Sequence, residues 1–458
     1  MLTMPFILPQ QLRLVVLVAS SWACAATWAQ NVGEVEFSRG VGFAQSGSQT
    51  PRTLGKGLAL QEGDRLTTAD GASAIIKLLD GTRMTIRPNT DLVLRQYQFK
   101  ENADNNSMVM SLLRGGLRAV TGLISKGSAN AARIQTNTAT IGIRGTDFDA
   151  RVCGSDCGKE AASTGEKARP NTAQASARIV NAQGELNAVE PSGQRRHLTN
   201  GASVYPGDLV ETGQGTSAVL AFRDDSRITL GATTRFRVDN FVFDNKNPGE
   251  GRFLVSLLRG SVRALTGLIG KANTRNVGFS TSTATIGIRG TGFDLNCTGA
   301  CAGEPGDPNA GLTLWTWLGA IVVNQQGQSA LQVLEAGQGL FISPGGIIPL
   351  NTAPANNNPR PDGVVVPSAL FSTNDIPENT EGLYVFVRDG HIEITTDSSI
   401  LELGRGEAGF AGNGGVAGRP SFVPRFLDFD SMPMPNSKNP MLTSILSENG
   451  VKTAGQCK

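Results

Sequence analysis

The sequence predicts an all-β protein made of tandem repeated β domains, each a short β-solenoid or a β-sandwich, with a third partial β unit behind them. Three observations carry this. The nine residues TATIGIRGT occupy positions 138–146 and recur, letter for letter, at 283–291. Within the segment Ala139, Ile141 and Ile143 alternate with Thr140, Gly142, Arg144 and Thr146, and continuing the alternation places Phe148 on that second face. Period two with β-branched residues marks a half-buried strand. Glycine is abundant (56 of 458 residues) and aromatic residues are scarce (6%), which suits short strands joined by tight turns better than a helical enzyme.

In chain order, residues 1–29 read as a secretory signal peptide. Arg13 supplies a short positive region, Leu14 to Ala19 with Trp22 to Ala26 an apolar one, and Thr27-Trp28-Ala29 a small-residue cleavage site. Lipid attachment at Cys24 is the rival reading, with Trp22 poorly placed for it. No later stretch offers the roughly 18 consecutive apolar residues of a membrane helix. The expectation is therefore an exported protein, periplasmic or extracellular, with no membrane span.

The first copy covers residues 32–157 and the second 176–301. Gly63-Asp64 matches Gly207-Asp208, and Arg52-Thr53-Leu54 matches Arg196-His197-Leu198, each at an offset of 144. SLLRGGLRAVTGLI at 111–124 matches SLLRGSVRALTGLI at 256–269 at an offset of 145. Repeats this similar imply one fold made twice. Inside each copy, strands at 72–79 and 83–86 flank an Asp80-Gly81 turn, and strands at 217–222 and 227–230 flank Asp224-Asp225, so each pair forms a hairpin. Strands at 92–99 and 236–243 follow. Those at 108–113 and 253–258 then lead through Arg114-Gly115 and Arg259-Gly260 into 117–120 and 262–265, and the nine-residue strand closes each unit.

Between the copies, residues 158–175 lack apolar periodicity and read as a flexible linker. Residues 312–415 form a C-terminal β region. Its first part, 318–342, has the rhythm of the opening of a copy, and its second, 382–410, holds a hairpin at Asp389-Gly390. It forms a third, smaller unit or extends the second copy. Residues 416–458 read as an extended or disordered tail.

The motifs resemble the FecR domain. They are Gly63-Asp64-Arg65-Leu66-Thr67, Asp80-Gly81-Thr82-Arg83-Met84 and Ile143-Arg144-Gly145-Thr146-Asp147-Phe148, repeated as Gly207-Asp208, Asp224-Asp225-Ser226-Arg227-Ile228 and Ile288-Arg289-Gly290-Thr291-Gly292-Phe293. The likeness covers roughly 50–150 and 195–295. It implies an extracytoplasmic all-β domain, which in founding members of the family follows a transmembrane helix and a cytoplasmic segment that controls a sigma factor. A signal peptide stands in that place here, so the exported β domain carries over and the direct sigma-factor circuit does not.

Chemistry is sparse. Two histidines, His197 and His391, leave little for metal or histidine-based catalysis, and a net charge of +2 gives no pull toward nucleic acid. No cofactor, metal site or catalytic residue is expected. Cys153–Cys157 and Cys297–Cys301 pair naturally as short-loop disulfides in an oxidising compartment, the rival being a cysteine-only metal site. Cys457 is left over, as a free thiol or an interchain link. Arg114, Arg118, Arg144, Arg259, Arg263 and Arg289 recur in both copies. They form either a guanidinium row for an anionic ligand or, as preferred, internal braces bonded to carbonyls or to carboxylates such as Asp64, Asp208, Asp149 and Asp294. Asp80, Asp224 and Asp225 fall at turns, where backbone chemistry favours aspartate over an acid–base role. Trp315 and Trp317, at i and i+2, share a strand face and serve either as a sugar-stacking platform or in packing. The function expected is non-enzymatic binding of a cell-envelope glycan, a surface polymer or an envelope protein. The alternatives are an accessory sensor working through a separate membrane partner, and a carbohydrate-active enzyme.

Overall fold

The structure, a computed structural model, describes residues 30–428 except 102, 104, 128–130, 165–166, 305 and 308–309. The expectations for the signal peptide at 1–29 and for the tail from 429 onward, Cys457 included, lie outside the described residues. Two similar 15-stranded sheets make up the body, and among the described residues neither closes into a barrel.

Each copy builds its sheet around one long strand, Ser107–Val120 or Arg252–Leu265. In the first copy the front half of this strand pairs with Asp91–Gln98 on one side and, in parallel, with Ala132–Gln135 on the other. The back half pairs with Arg83–Ile86 and with the repeated strand Thr140–Cys153. Two sets of partners along one strand fold the sheet over on itself, so the apolar face of every hairpin turns inward. The first core holds Leu66, Ile76, Met108, Leu112, Ile134, Ile141 and Phe148. The second fills the corresponding volume with rings: Phe222, Phe253, Phe279 and Phe293 lie 4.6–5.9 Å apart, centroid to centroid, along a continuous stack.

The repeated strands, Thr140–Cys153 and Ala284–Cys297, are closing strands with a break in phase. Alternation predicted Phe148 opposite Ile141 and Ile143, but all three are buried in the same core. The cause is a bulge at Arg144–Asp147, where Gly145 adopts φ +55°; Gly290 does the same at +64°. One added residue turns every following side chain over.

Beyond each closing strand lies a 14-residue outer strand, and here the chain departs from the linear reading. Leu312–Gln325 pairs along the whole of the second closing strand, so it extends the second sheet and opens no new copy. Gly382–Thr395 pairs in the same way with the first closing strand, from Thr140↔Thr395 to Cys153↔Gly382. The first domain is thus completed by residues that follow the second. Asp389-Gly390, predicted as a hairpin turn, is a bulge inside this outer strand, facing the bulge at Gly145; the reversal comes later, between Thr395 and Ile400. Gly390 has φ +84°, so the positive-φ signal that marks a hairpin serves a bulge instead.

A third partial unit sits at the join. Arg169–Pro170 pairs with Phe422–Val423, and a separate cluster gathers Cys153, Cys157, Tyr384, Phe386, Phe410 and Phe426. The predicted linker contains the helix Cys157–Ser163, with Ala161 buried, and the first part of the predicted tail contains the helix Arg425–Asp428. Phe426 and Leu427 are fully buried, and their apolar area outweighs the polar composition around them.

Both disulfides are formed, Cys153–Cys157 and Cys297–Cys301. They are not equivalent. One residue fewer separates Thr285 from Cys297 than separates Thr140 from Cys153. Cys297 and Cys301 therefore face the second domain's inner core, whereas Cys153 and Cys157 face the outer third cluster.

The facing bulges predict an asymmetric cost. A Cβ on Gly390 would lie 2.4 Å from the Gly145 carbonyl oxygen, whereas the space beside Gly145 is open to a side-chain amide at 3.2 Å. Gly390→Ala is expected to destabilise by more than about 2 kcal/mol and Gly145→Ala by about 1–2 kcal/mol. Urea unfolding measures both, and equal losses would refute the bulge geometry.

Candidate functional site

The six arginines separate into braces and exposed groups. Arg118 donates to both oxygens of Asp147, at 3.0 and 2.8 Å, and Arg263 donates to Asp294 at 3.0 Å. The second copy has Gly292 where the first has Asp147, so Arg263 turns to the aspartate directly across the ladder. Asp149, the counterpart of Asp294, accepts from Arg388 of the outer strand at 2.6 Å. Arg259 pairs with Glu304 at the surface. The Arg114 and Arg289 side chains are exposed and make no hydrogen bond or ion pair among the described residues.

Asp64 and Asp208, candidate partners for these arginines, belong to others. Arg52 donates to both oxygens of Asp64, at 2.6 and 2.5 Å, and Arg196 holds Asp208, which also accepts from the Tyr205 amide at 2.9 Å. The sequence signals these locks through the Arg-x-Leu and Gly-Asp motifs, whose arginine and aspartate lie twelve residues apart in both copies. Asp80 and Asp224 serve their turns. Each accepts from the amide two residues on, at 3.1 Å, and from that residue's hydroxyl at 2.9 Å.

Arg144 has a different setting from its twin, Arg289. It lies between the two domains, in a pocket of about 110 Å³ with Arg196, His197, Thr199, His391 and Glu402. Nearby, Arg178 of the second domain and Glu407 of the first form a fully buried ion pair at 2.6 Å, with Arg419 against the same carboxylate at 3.5 Å. Tyr205 lies tilted against His391, ring centroids 5.6 Å apart, and packs so closely on Gly404 that a Cβ there would fall 1.6 Å from its hydroxyl. Burial, followed by Arg196 and Arg178, holds the His391 pKa well below its ordinary value, so the imidazole is neutral. Burial, followed by Glu393, pushes Glu402 up to about 7.

A second concave surface lies on the outer face of the second domain. Trp315 and Trp317 share a strand face, as their spacing predicts, and divide its work. Trp317 donates its indole N–H to Asp294 at 3.0 Å and lies under the Arg360 guanidinium at 4.1 Å. Trp315 is half-buried in a pocket of about 340 Å³ with Asn296, Thr313, Asn356, Asn357 and Asn358. Among the described residues no group of three or more His, Cys, Asp or Glu side chains could hold a metal ion, and no helix is long and apolar enough to cross a membrane.

Residues 64–162 and 208–302 match the FecR protein family. Each copy thus contains one FecR-like segment. Each match starts at the aspartate of an Arg–Asp lock and runs through a closing strand to its disulfide. Both outer strands lie beyond the matched segments, although each closing strand pairs along its whole length with one. Two crystal structures, at 1.65 and 2.50 Å, of a provisionally assigned anti-sigma factor from Parabacteroides distasonis ATCC 8503 are similar over 31% of this chain, with 15% identity and a TM-score of 0.24. The chain spans 59% of that protein's length. No curated protein matches the sequence.

Two predictions follow from this geometry. Arg263→Ala takes from the mostly buried Asp294 its ion-pair partner, leaving it the Trp317 N–H, and is expected to cost about 2–3 kcal/mol, against less than about 0.5 kcal/mol for Arg289→Ala. Denaturant midpoints compare the pair, and similar losses would remove the brace. For Glu402 the sign follows from its raised pKa. Its contribution to stability is complete below the ordinary value of 4.5 and is lost as pH rises through about 7. Glu402→Gln is therefore expected to flatten the decline in unfolding free energy between about pH 5 and pH 8, and an unchanged slope would contradict the burial of this carboxyl.

Proposed function

We propose that this is an exported, non-enzymatic FecR-domain protein that binds a component of the cell envelope: a glycan, a surface polymer or an envelope protein. The observation that supports this reading is the joint between the domains. The crossed outer strand and the buried Arg178–Glu407 pair make two FecR domains one continuous body, the form suited to presenting a fixed binding surface. The disulfides fit an oxidising compartment. The aspartates that could be imagined as an acid–base pair are occupied in turns. A second reading is favoured by the FecR match itself: an accessory sensor that relays an extracytoplasmic signal through a separate membrane partner.

A pull-down of residues 30–458 against purified peptidoglycan and against envelope extract tests both. Retention without release of soluble sugar is expected. Recovery of a membrane regulator as the sole bound species favours the sensor, sugar release overturns the non-enzymatic reading, and absence of any retention ends the proposal.

A further inference from the structure

The two domains treat one surface in opposite ways. In the first, Phe386 stands opposite Asp149 on the outer strand; in the second, Trp315 stands opposite Asp294 at the same register. Phe386 is 4% exposed, in a cluster with Tyr384 and Phe426 and with the Arg169 guanidinium 4.7 Å from its ring. The helices around residues 160 and 426 cap that face. Among the described residues no such cap covers Trp315. The asparagine-rich loop at 354–358 borders it, and a pocket of about 340 Å³ remains open, within the roughly 300–1,000 Å³ of small-molecule sites.

The walls of this pocket are held in place. Arg263 donates to the Asn358 carbonyl at 2.7 Å, the Asn358 amide side chain donates to Ser261 at 3.0 Å, and the Asn358 backbone N–H donates to the Asn356 side chain at 3.0 Å. The groups that face the opening are uncommitted. The side chains of Asn296, Thr313 and Asn357 and the indole N–H of Trp315 make no hydrogen bond among the described residues. A half-exposed indole beside planar amides and a hydroxyl, with Asp294 already neutralised by Arg263, is suited to a neutral, hydroxyl-rich ring. The C–H face of a pyranose packs on the indole while its hydroxyls exchange hydrogen bonds with the amides.

We propose that this pocket is a saccharide-binding site of the second FecR domain, with Trp315 as its stacking face and Asn296, Thr313 and Asn357 as its polar contacts. It rests on the envelope-binding reading and gives it a location. Its first-domain counterpart is closed by Phe386, so among the described residues this surface offers one such site.

The test is calorimetric titration of residues 30–458 with chitotetraose, maltotetraose and lysozyme-released peptidoglycan glycan fragments, with indole fluorescence as a second signal. Wild type is expected to bind at least one of them. Trp315→Ala should weaken that binding about ten-fold or more, the size of one aromatic contact, while Trp315→Phe retains most of it. Melting curves confirm that each variant is folded, and Asn357→Ala, on the exposed loop, gives a second reading should Trp315→Ala fail to fold. Wild type binding none of the three, or folded variants binding unchanged, overturns the site. If Trp315→Ala is still retained by peptidoglycan or envelope extract, this pocket is refuted while the envelope-binding reading stands. Loss of wild-type retention refutes that reading itself.

Discussion

The structure depends on one requirement of backbone chemistry: the outer edge of each closing strand must find a partner. A 14-residue strand with an apolar inner face and an unpaired edge invites pairing with another chain. The second domain meets the requirement locally, because Leu312–Gln325 follows its closing strand after a short disulfide loop. The first cannot, because the chain leaves it to build the second domain. Its edge is met by Gly382–Thr395, and this distant pairing brings Glu407 against Arg178, Tyr205 against His391, and Phe426 into a cluster with Tyr384. Removing one partner from a buried ion pair of this kind costs about 3–5 kcal/mol, because the other charge is left in a medium that cannot solvate it. The joint thus becomes as much a part of the fold as either core.

Much of this was legible in the sequence. The identical nonapeptide, the Gly-Asp turns and the cysteine spacing led to two copies of one β domain and to both disulfides. What escaped has physical causes. Alternation assumes an unbroken pleat, and Gly145 breaks it, which moves Phe148 from the predicted outer face to the core. Asp389-Gly390 has hairpin chemistry, but a positive φ serves a bulge equally well. The return of residues 382–395 to the first copy leaves no local trace, since antiparallel pairing records nothing of the separation between its partners. Of the candidate site, the Arg263–Asp294 brace is one the sequence suggests, whereas Arg118 takes Asp147, which the second copy replaces with Gly292, and Asp64 and Asp208 go to Arg52 and Arg196 at a spacing that recurs in both copies.

Duplication has not kept the copies equivalent. Arg144 and Arg289 occupy the same position of the same nonapeptide, yet one lies in a charged pocket between domains and the other faces solvent. Arg388 and Trp317 both donate to the aspartate of the closing strand, one as a guanidinium and the other as an indole. Identical strands set identical backbones, and the neighbours then decide what each side chain does.

The nesting of one domain within the other also sets an order of assembly. During synthesis the first domain's residues emerge first, but its edge stays open until residue 395 has been made. The second domain, begun later, has its outer strand complete by residue 325. The domain that starts first is finished last. A nascent chain, or one terminated before residue 395, therefore carries an exposed strand edge beside an already folded neighbour, and the strand Gly382–Thr395 acts as the stopper for the chain's beginning.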